Sequence, residues 1–306
     1  MKKISLVVAI LLSVALPLQA GEIERIKEKG EIVVSLNKGY PPFSITEGKE
    51  IIGLDADMGR LIANYLGVRM RFVLPDLYKD QIPRLLAGES DIIIAAMTRT
   101  VERGLKVNFT EPYFEVSQAA LADRKILDKT DNSYFDLVDI KNIRVGMKEN
   151  TTIERFAREL FPASSIKAYP THPDAADALV SGKVDAMLAD SPFVRVWVKS
   201  HPLHVKKIKP LLVPVTKEYY GFAIRKGDPD FLNWLNLFIT QIKTDGTMAL
   251  LKHKYFTEMA WLGMEMTGEA KLTKAQLLRN KFIFNKNKML DKKLIQEKVK
   301  AGDAYE

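Results

Sequence analysis

The chain has 306 residues, room for two domains of ordinary size, and 47% of them are apolar, enough to bury substantial cores. With 27% charged residues, 17 Gly, 14 Pro and no Cys, the composition excludes collagen-like, disulfide-stapled and wholly disordered classes, and with them any thiolate metal site or thiol nucleophile. The net charge of +8 sits at the ends: Lys2 and Lys3 open the chain, and residues 267–306 hold ten Lys or Arg against five Asp or Glu, so the body between is nearly neutral and carries no basic stripe for nucleic acid.

Taken in order, Lys2 and Lys3 precede an apolar run from Ile4 to Leu16, followed by Pro17, Leu18, Gln19 and Ala20, the three zones of a secretory signal with cleavage expected after Ala20. The run is shorter than the roughly 20 residues that span a bilayer, and no Cys follows it to take a lipid. A soluble protein exported beyond a bacterial inner membrane is expected.

From Ile32 onward short apolar runs alternate with amphipathic ones, the pattern of strands covered by helices. Ile32–Leu36 reads as a strand. Met58, Leu61, Ile62, Tyr65 and Leu66 fall on one helical face, with Gly67 as a left-handed stop. Val68–Val73 reads as a strand with an alternating inner face. Ile82, Leu85 and Leu86 predict a short helix ended at Gly88, and Asp91–Ala96 a strand buried on both faces. The second half repeats this order: a strand over Ile143–Gly146, a helix through Ile153, Phe156, Ala157 and Leu160, a strand over Ile166–Tyr169 and a helix around Ala175–Val180. The segment from Leu85 to Ile94 aligns with that from Leu179 to Leu188, each a helix end, a Gly stop and a buried strand. Two similar α/β lobes are expected.

Ligands of open α/β sheets sit beyond the carboxyl ends of the strands. Those ends are Met97-Thr98 in one half and Asp190-Ser191-Pro192 in the other. Thr98 offers a hydroxyl and an N–H, Arg103 a planar fork for a carboxylate, and Asp190 an acceptor for an ammonium, the complements of a free α-amino acid.

Several segments carry a family resemblance: Tyr40-Pro41-Pro42-Phe43, Gly53-Leu54-Asp55-Ala56-Asp57, the run from Asp91 to Arg103, Phe109-Thr110-Glu111-Pro112-Tyr113, Lys148-Glu149-Asn150-Thr151-Thr152, Ala189-Asp190-Ser191-Pro192, Tyr220-Gly221-Phe222-Ala223-Ile224-Arg225-Lys226-Gly227 and Lys243-Thr244-Asp245-Gly246-Thr247. In order and spacing they resemble the family 3 periplasmic solute-binding proteins, the polar amino-acid receptors of ABC importers, from about Gly21 to about Trp261.

The resemblance implies an α/β, two-lobe Venus flytrap fold, each lobe a mostly parallel sheet flanked by helices. Residues 1–20 are then a signal peptide, 21–115 with 219–266 a discontinuous first lobe, 116–218 the second lobe, and 267–306 a basic tail. It implies that Arg103 clamps the ligand α-carboxylate with Thr98 and Thr152, that Asp190 takes the α-ammonium, that Tyr40 and Tyr78 flank the side chain, and that Asn37 and Lys148 touch its far end; Ala96 and Thr151 complete the ligand-binding set. The implied partners are an amino-acid ligand and an inner-membrane ABC permease, with no cofactor, no metal, no catalytic residue and no nucleic acid, for a chain acting as a monomer.

Three departures matter. Asn150 stands where the family usually has Gly, a place Asn tolerates because it enters left-handed conformations readily. Arg99 replaces an apolar residue, and Asn37 replaces the Asp of many amino-acid receptors. Loss of that carboxylate, together with Lys148, argues for a neutral polar or acidic ligand over a cationic one.

The sequence lacks a Gly-Lys phosphate loop, a His-Glu-x-x-His and a Gly-x-Ser-x-Gly motif. His172, His201, His204 and His253 show no metal-ligand spacing, and His201 and His204 read as solvated loop residues. The alternatives are a cyclohexadienyl or arogenate dehydratase, which uses the same fold and needs a general-acid carboxylate in the cleft, and a ligand-sensing module. The tail, with Leu277, Leu278, Phe282, Leu290 and Leu294 among its bases, reads as one or two amphipathic helices, packed, frayed or docking a partner or lipid.

Overall fold

The computed structural model describes residues 21–47, 50–127, 133–214 and 216–262; the leader and the basic tail lie outside them. Two five-stranded sheets, each flanked by helices, form two lobes. In the first sheet the strands run in the spatial order Arg69–Val73, Glu31–Ser35, Ile92–Ile93, Ala223–Ile224, Asn108–Phe109. The first three are parallel, and Ala223–Ile224 is antiparallel to both its neighbours. The second sheet has the order Ile166–Tyr169, Val145–Lys148, Ala186–Asp190, Gln118–Asp123, Ile208–Leu211, again three parallel strands followed by antiparallel pairing. Between the sheets, Phe114–Val116 and Glu218–Tyr220 pair antiparallel into a two-stranded ribbon, so the chain passes from one lobe to the other and back through adjacent strands.

The parallel strands are nearly continuous apolar runs because helices cover both faces; Ile32 to Leu36 and Asp91 to Thr98 are all buried. One apolar cluster runs through both lobes and the junction between them. Smaller clusters fill the outer face of each sheet, around Leu137, Met147 and Leu188 in one lobe and Leu85, Ile93 and Val107 in the other.

Helix Leu54–Leu66 shows how the fold sets up the cleft. Its C-terminus stops at Gly67, which is left-handed at φ 72° and returns its N–H to Ala63 and Asn64. At the other end, the free N–H groups of Leu54 and Asp55 donate to the carbonyls of Pro42 and Phe43 at 3.0 Å. The helix therefore holds the Tyr40–Phe43 turn in place, and Tyr40 with it. Gly53 makes this approach possible: its φ is 130°, and a Cβ there would lie 2.2 Å from the Phe43 carbonyl oxygen.

Some sequence expectations shift. The Val68–Val73 strand begins at Arg69 and lies at the sheet edge, so its residues are at most half-buried instead of alternating cleanly. The strand expected from Ile143 starts at Val145; Ile143 is buried, but in the preceding turn. Leu86 is 49% exposed because the helix Gln81–Leu86 is too short to bury more than Leu85 and Gln81. Tyr65, at the rim of its helix, is 43% exposed and meets Phe238 edge-on. His201 and His204 are half-buried, not solvated: His201 stacks on Trp197 at 4.6 Å and its Nδ1 lies 2.9 Å from the Trp197 carbonyl.

Gly53→Ala is expected to lower stability by about 2 kcal/mol or more, since it combines a left-handed backbone with a backbone clash that no rotamer relieves. Urea unfolding of the two proteins measures this, and Gly104→Ala, where a Cβ meets nothing within 4 Å, is the control.

Candidate functional site

The carboxyl ends of the parallel strands in both sheets face one small cavity of about 20 Å³ between the lobes. Asn37, Tyr40, Tyr78, Ala96, Thr98 and Arg103 line it from the first lobe, and Thr151, Thr152, Ile153, His172 and Asp190 from the second. Nine of the ten residues singled out in the sequence thus meet here. The tenth, Lys148, stands directly behind the wall: its Nζ donates to Asn37 Oδ1 at 2.6 Å and lies 5.1 Å from the Tyr78 ring centre.

Local structure explains each placement on the first-lobe side. Buried Asp55, near the start of helix Leu54–Leu66, accepts the Ala96 N–H on one oxygen at 2.8 Å and the Tyr113 hydroxyl on the other at 2.9 Å. Burial pushes its carboxyl up to about 8, against the lowering effect of those two bonds. Ala96 is thereby held at φ 46°, a left-handed turn that ends the buried strand and swings Thr98 toward the cleft. Thr98 bridges to Tyr220, and the N–H of Arg99 donates to the Tyr219 carbonyl, so the loop is stitched to the interlobe ribbon. Thr100 caps the next turn through the Arg103 N–H, and the Arg103 guanidinium donates back to the Thr98 carbonyl at 2.8 Å while lying 5.7 Å from the Tyr78 ring centre. The fork is held against the cavity wall.

On the second-lobe side, Asn150 takes the left-handed turn at φ 59° that its residue type permits. Thr151 then caps helix Thr152–Leu160, accepting from the Glu154 N–H and donating to the Lys148 carbonyl. Thr152, the first helical residue, faces the cavity where a helix N-terminus favours negative charge.

Asp190, at the end of strand Ala186–Asp190, accepts the Tyr40 hydroxyl at 3.1 Å and the Tyr220 hydroxyl on the same oxygen, Oδ2. Its Oδ1 is buried without a protein partner. Burial pushes the carboxyl up to about 7, with Glu218 adding to the rise and the two tyrosines and Arg103 opposing it. The phenols of Tyr40 and Tyr220 are pushed well above their ordinary range by burial and by the neighbouring Asp190 charge, so they remain donors. Burial pulls Lys148 down to about 8, opposed by Glu149.

Sequence reasoning missed Tyr220, Ile153 and His172. His172 is wholly buried, 4.7 Å from the Tyr40 ring and 5.0 Å from Phe193. It opens helix His172–Val180, whose Thr171 and Asp174 form a capping box. That box, directly after strand Ile166–Tyr169, was the available signal that His172 sits at a strand's carboxyl end. Among the described residues no cluster of His, Asp and Glu could hold a metal ion, and no helix is long and apolar enough to cross a membrane.

The sequence profile of the bacterial extracellular solute-binding proteins, family 3, matches residues 32–258. The chain belongs to this family. It is similar to the ABC transporter arginine-binding protein 1 of Escherichia coli K12, at 29% identity over 72% of this chain and 88% of that protein. Among solved structures it is similar to an ABC-transporter binding component from Wolinella succinogenes complexed with lysine, with a TM-score of 0.72 and 36% identity over 77% of this chain and all of the other. It is also similar to an ancestral amino-acid-binding protein described as a precursor of cyclohexadienyl dehydratase, with a TM-score of 0.68 and 34% identity over 78% of this chain and all of that one. The family's two-lobe α/β architecture is the one described above.

Asp190 attracts a cationic group only when ionised. A pKa raised to about 7 means that below neutrality the free protein carries a proton that must leave before an ammonium can pair with the carboxylate. Affinity for an ammonium-bearing ligand is therefore expected to fall by up to about tenfold per pH unit as pH drops below 7 and to level off above it. Isothermal titration between pH 5 and 8 checks this, and Asp190→Asn should flatten the profile.

Proposed function

We propose that the protein binds one free L-amino acid between its lobes and delivers it to an ABC permease of the inner membrane, without chemical turnover. The observation that carries this reading is the set of groups the cavity brings together: Arg103, Thr98 and Thr152 on the one hand, and Asp190 with its unpartnered Oδ1 on the other. A carboxylate fits the first group and an ammonium the second, and the buried Asp190 carboxylate in particular needs its partner. An α-amino acid is the smallest ligand that does so. In this reading Tyr40 and Tyr78 flank the ligand, and Asn37, Ala96, Thr151 and Lys148 complete its surroundings.

The ligand's side chain is proposed to be polar and uncharged, or acidic. Two of the similar proteins named above are described with arginine or lysine, but among the described residues Asp190 is the only acidic one lining this cavity, and the α-ammonium occupies it. Lys148 adds a cation just behind the far wall, which disfavours a second positive charge on the ligand.

A dehydratase reading draws on the likeness to the ancestral precursor protein. It requires a carboxyl group that donates a proton to a leaving group; in the binding reading the unpartnered oxygen of Asp190 is taken by the ligand ammonium instead, and the Escherichia coli relative named above is a binding protein. The binding reading therefore has the stronger support.

The test is calorimetry of the purified protein against the twenty amino acids, with prephenate consumption assayed in parallel. One or a few amino acids are expected to bind at about micromolar affinity, near −8 kcal/mol, with no prephenate consumed. Arg103→Ala and Asp190→Ala are each expected to weaken binding by about 30-fold to several thousand-fold, the usual 2 to 5 kcal/mol for stranding one buried charge, with unfolding midpoints close to the parent's. Parental affinity in Arg103→Ala overturns the site, and prephenate turnover proportional to protein concentration overturns the function.

A further inference from the structure

We infer that Glu218, which does not line the ligand cavity, is a positioning residue whose negative charge acts through Gln118 and Asp190 to strengthen the hold on the ligand's ammonium. This rests on the amino-acid reading above and adds a residue to its ammonium end.

A set of contacts places it there. Asp190 and Gln118 stand opposite each other in the antiparallel pairing of strands Ala186–Asp190 and Gln118–Asp123, so their side chains share one face of the second sheet. Gln118 is buried, and its Nε2 donates to Glu218 Oε1 at 2.8 Å. Its backbone N–H donates to Thr216 Oγ1, also at 2.8 Å, while the Tyr220 hydroxyl donates to Asp190. Thr216, Glu218 and Tyr220 are alternate residues of the segment that returns between the lobes, and all three engage the Gln118–Asp190 pair. Alternate residues of a strand lie about 7 Å apart on one face, so Glu218 is the near neighbour of the tyrosine that touches Asp190.

The Glu218 charge has no local counterion. Among the described residues it makes no salt bridge. Lys217 pairs with Glu115 instead; in the groove that Glu218 lines, Arg155 pairs with Glu102 and Arg99 is exposed to water. The other titratable groups around Asp190 are the phenols of Tyr40, Tyr78, Tyr134 and Tyr220, which burial keeps neutral, and His172, also held neutral. The remaining cations are Arg103 and, behind the cavity wall, Lys148. Arg103 favours the ionised Asp190 carboxylate and Glu218 disfavours it.

That opposition gives Glu218 a recognisable signature. A proton on Asp190 and a ligand ammonium are each one positive charge at the same place, and Glu218 attracts both. At a pH where Asp190 is protonated, binding exchanges one for the other and the attraction cancels. Where Asp190 is ionised, the ammonium meets a bare carboxylate and the attraction is added in full. A residue that only braced Gln118 would change affinity equally at every pH. One partly exposed charge at this remove is worth about half a pH unit at Asp190, or about threefold in affinity.

Two measurements on the parent, Glu218→Gln and Glu218→Asp test the inference. Carbon-13 spectra of aspartate-labelled free protein, with the Asp190 signal assigned through Asp190→Asn, follow its titration without any ligand. Asp190 is expected to titrate about half a unit lower in Glu218→Gln, which keeps an acceptor for Gln118, and as in the parent in Glu218→Asp, which keeps the charge. Calorimetry with the twenty L-amino acids as probes, read on those that bind, follows affinity at pH 5.5 and pH 8. The parent's advantage over Glu218→Gln is expected to grow about threefold between the two, and its advantage over Glu218→Asp to stay constant. An advantage over Glu218→Gln that is the same at both pH values overturns the inference, as does an unmoved Asp190 titration or a Glu218→Asp protein that behaves like Glu218→Gln. A folded parent that binds none of the twenty overturns the amino-acid reading and, with it, this role. Should Glu218→Gln fail to fold, Glu218→Ala removes the same charge and carries the same expectations.

Discussion

A carboxylate removed from water is the constraint around which this molecule is arranged. Asp190 ends a strand of the second lobe, takes a hydroxyl from Tyr40 of the first lobe and another from Tyr220 of the return strand between lobes, and keeps one oxygen unpaired. Two hydrogen bonds from neutral phenols soften the desolvation of that charge without cancelling it. In the binding mode proposed above a ligand ammonium completes the compensation, so the same feature that makes the empty arrangement costly stabilises the proposed complex. Because its partners come from both sides of the cleft, the carboxylate also joins the two lobes.

The opposite side of the cleft depends on backbone geometry more than on charge. Asp55 spends both oxygens on holding Ala96 in a left-handed turn and on the Tyr113 hydroxyl, one residue before the interlobe ribbon begins. The turn decides where Thr98 and Arg103 point, and Arg103 is steadied again by its own loop through the Thr98 carbonyl. Gly53 performs a related task for Tyr40 by letting the helix start abut the Pro42-Phe43 backbone. None of Gly53, Asp55 and Tyr113 lines the cavity, yet each fixes a residue that does.

Much of this was legible in the chain because periodicity reports burial. The strands Glu31–Ser35 and Ile166–Tyr169 and the helix ended by Gly67 follow from apolar spacing and one glycine. The internal repeat pointed to two lobes, and the strand ends pointed to Thr98 and Asp190. What escaped was whatever depends on partners distant in sequence. Leu86 and Tyr65 obey helical spacing but meet no neighbour able to cover them. Tyr220 becomes a site residue only because the return strand sets its hydroxyl against Asp190, 30 residues away in sequence. His172 carries no motif of its own; its meaning comes from the rings around it and the lysine beside it.

A pair at the mouth of the cleft, between the capped turn that carries Arg103 and the helix begun by Thr152, extends this picture to the surface. Glu102 of the first lobe and Arg155 of the second meet at 3.1 Å, both more than half exposed. Such an exposed pair contributes little and weakens as salt rises. Because it joins the two lobes and neither residue of it is buried, its effect falls on how firmly they are held together and hardly on which groups line the cavity. The ionic strength of the medium thus bears on a contact between the lobes, while the buried groups that line the cavity are screened far less.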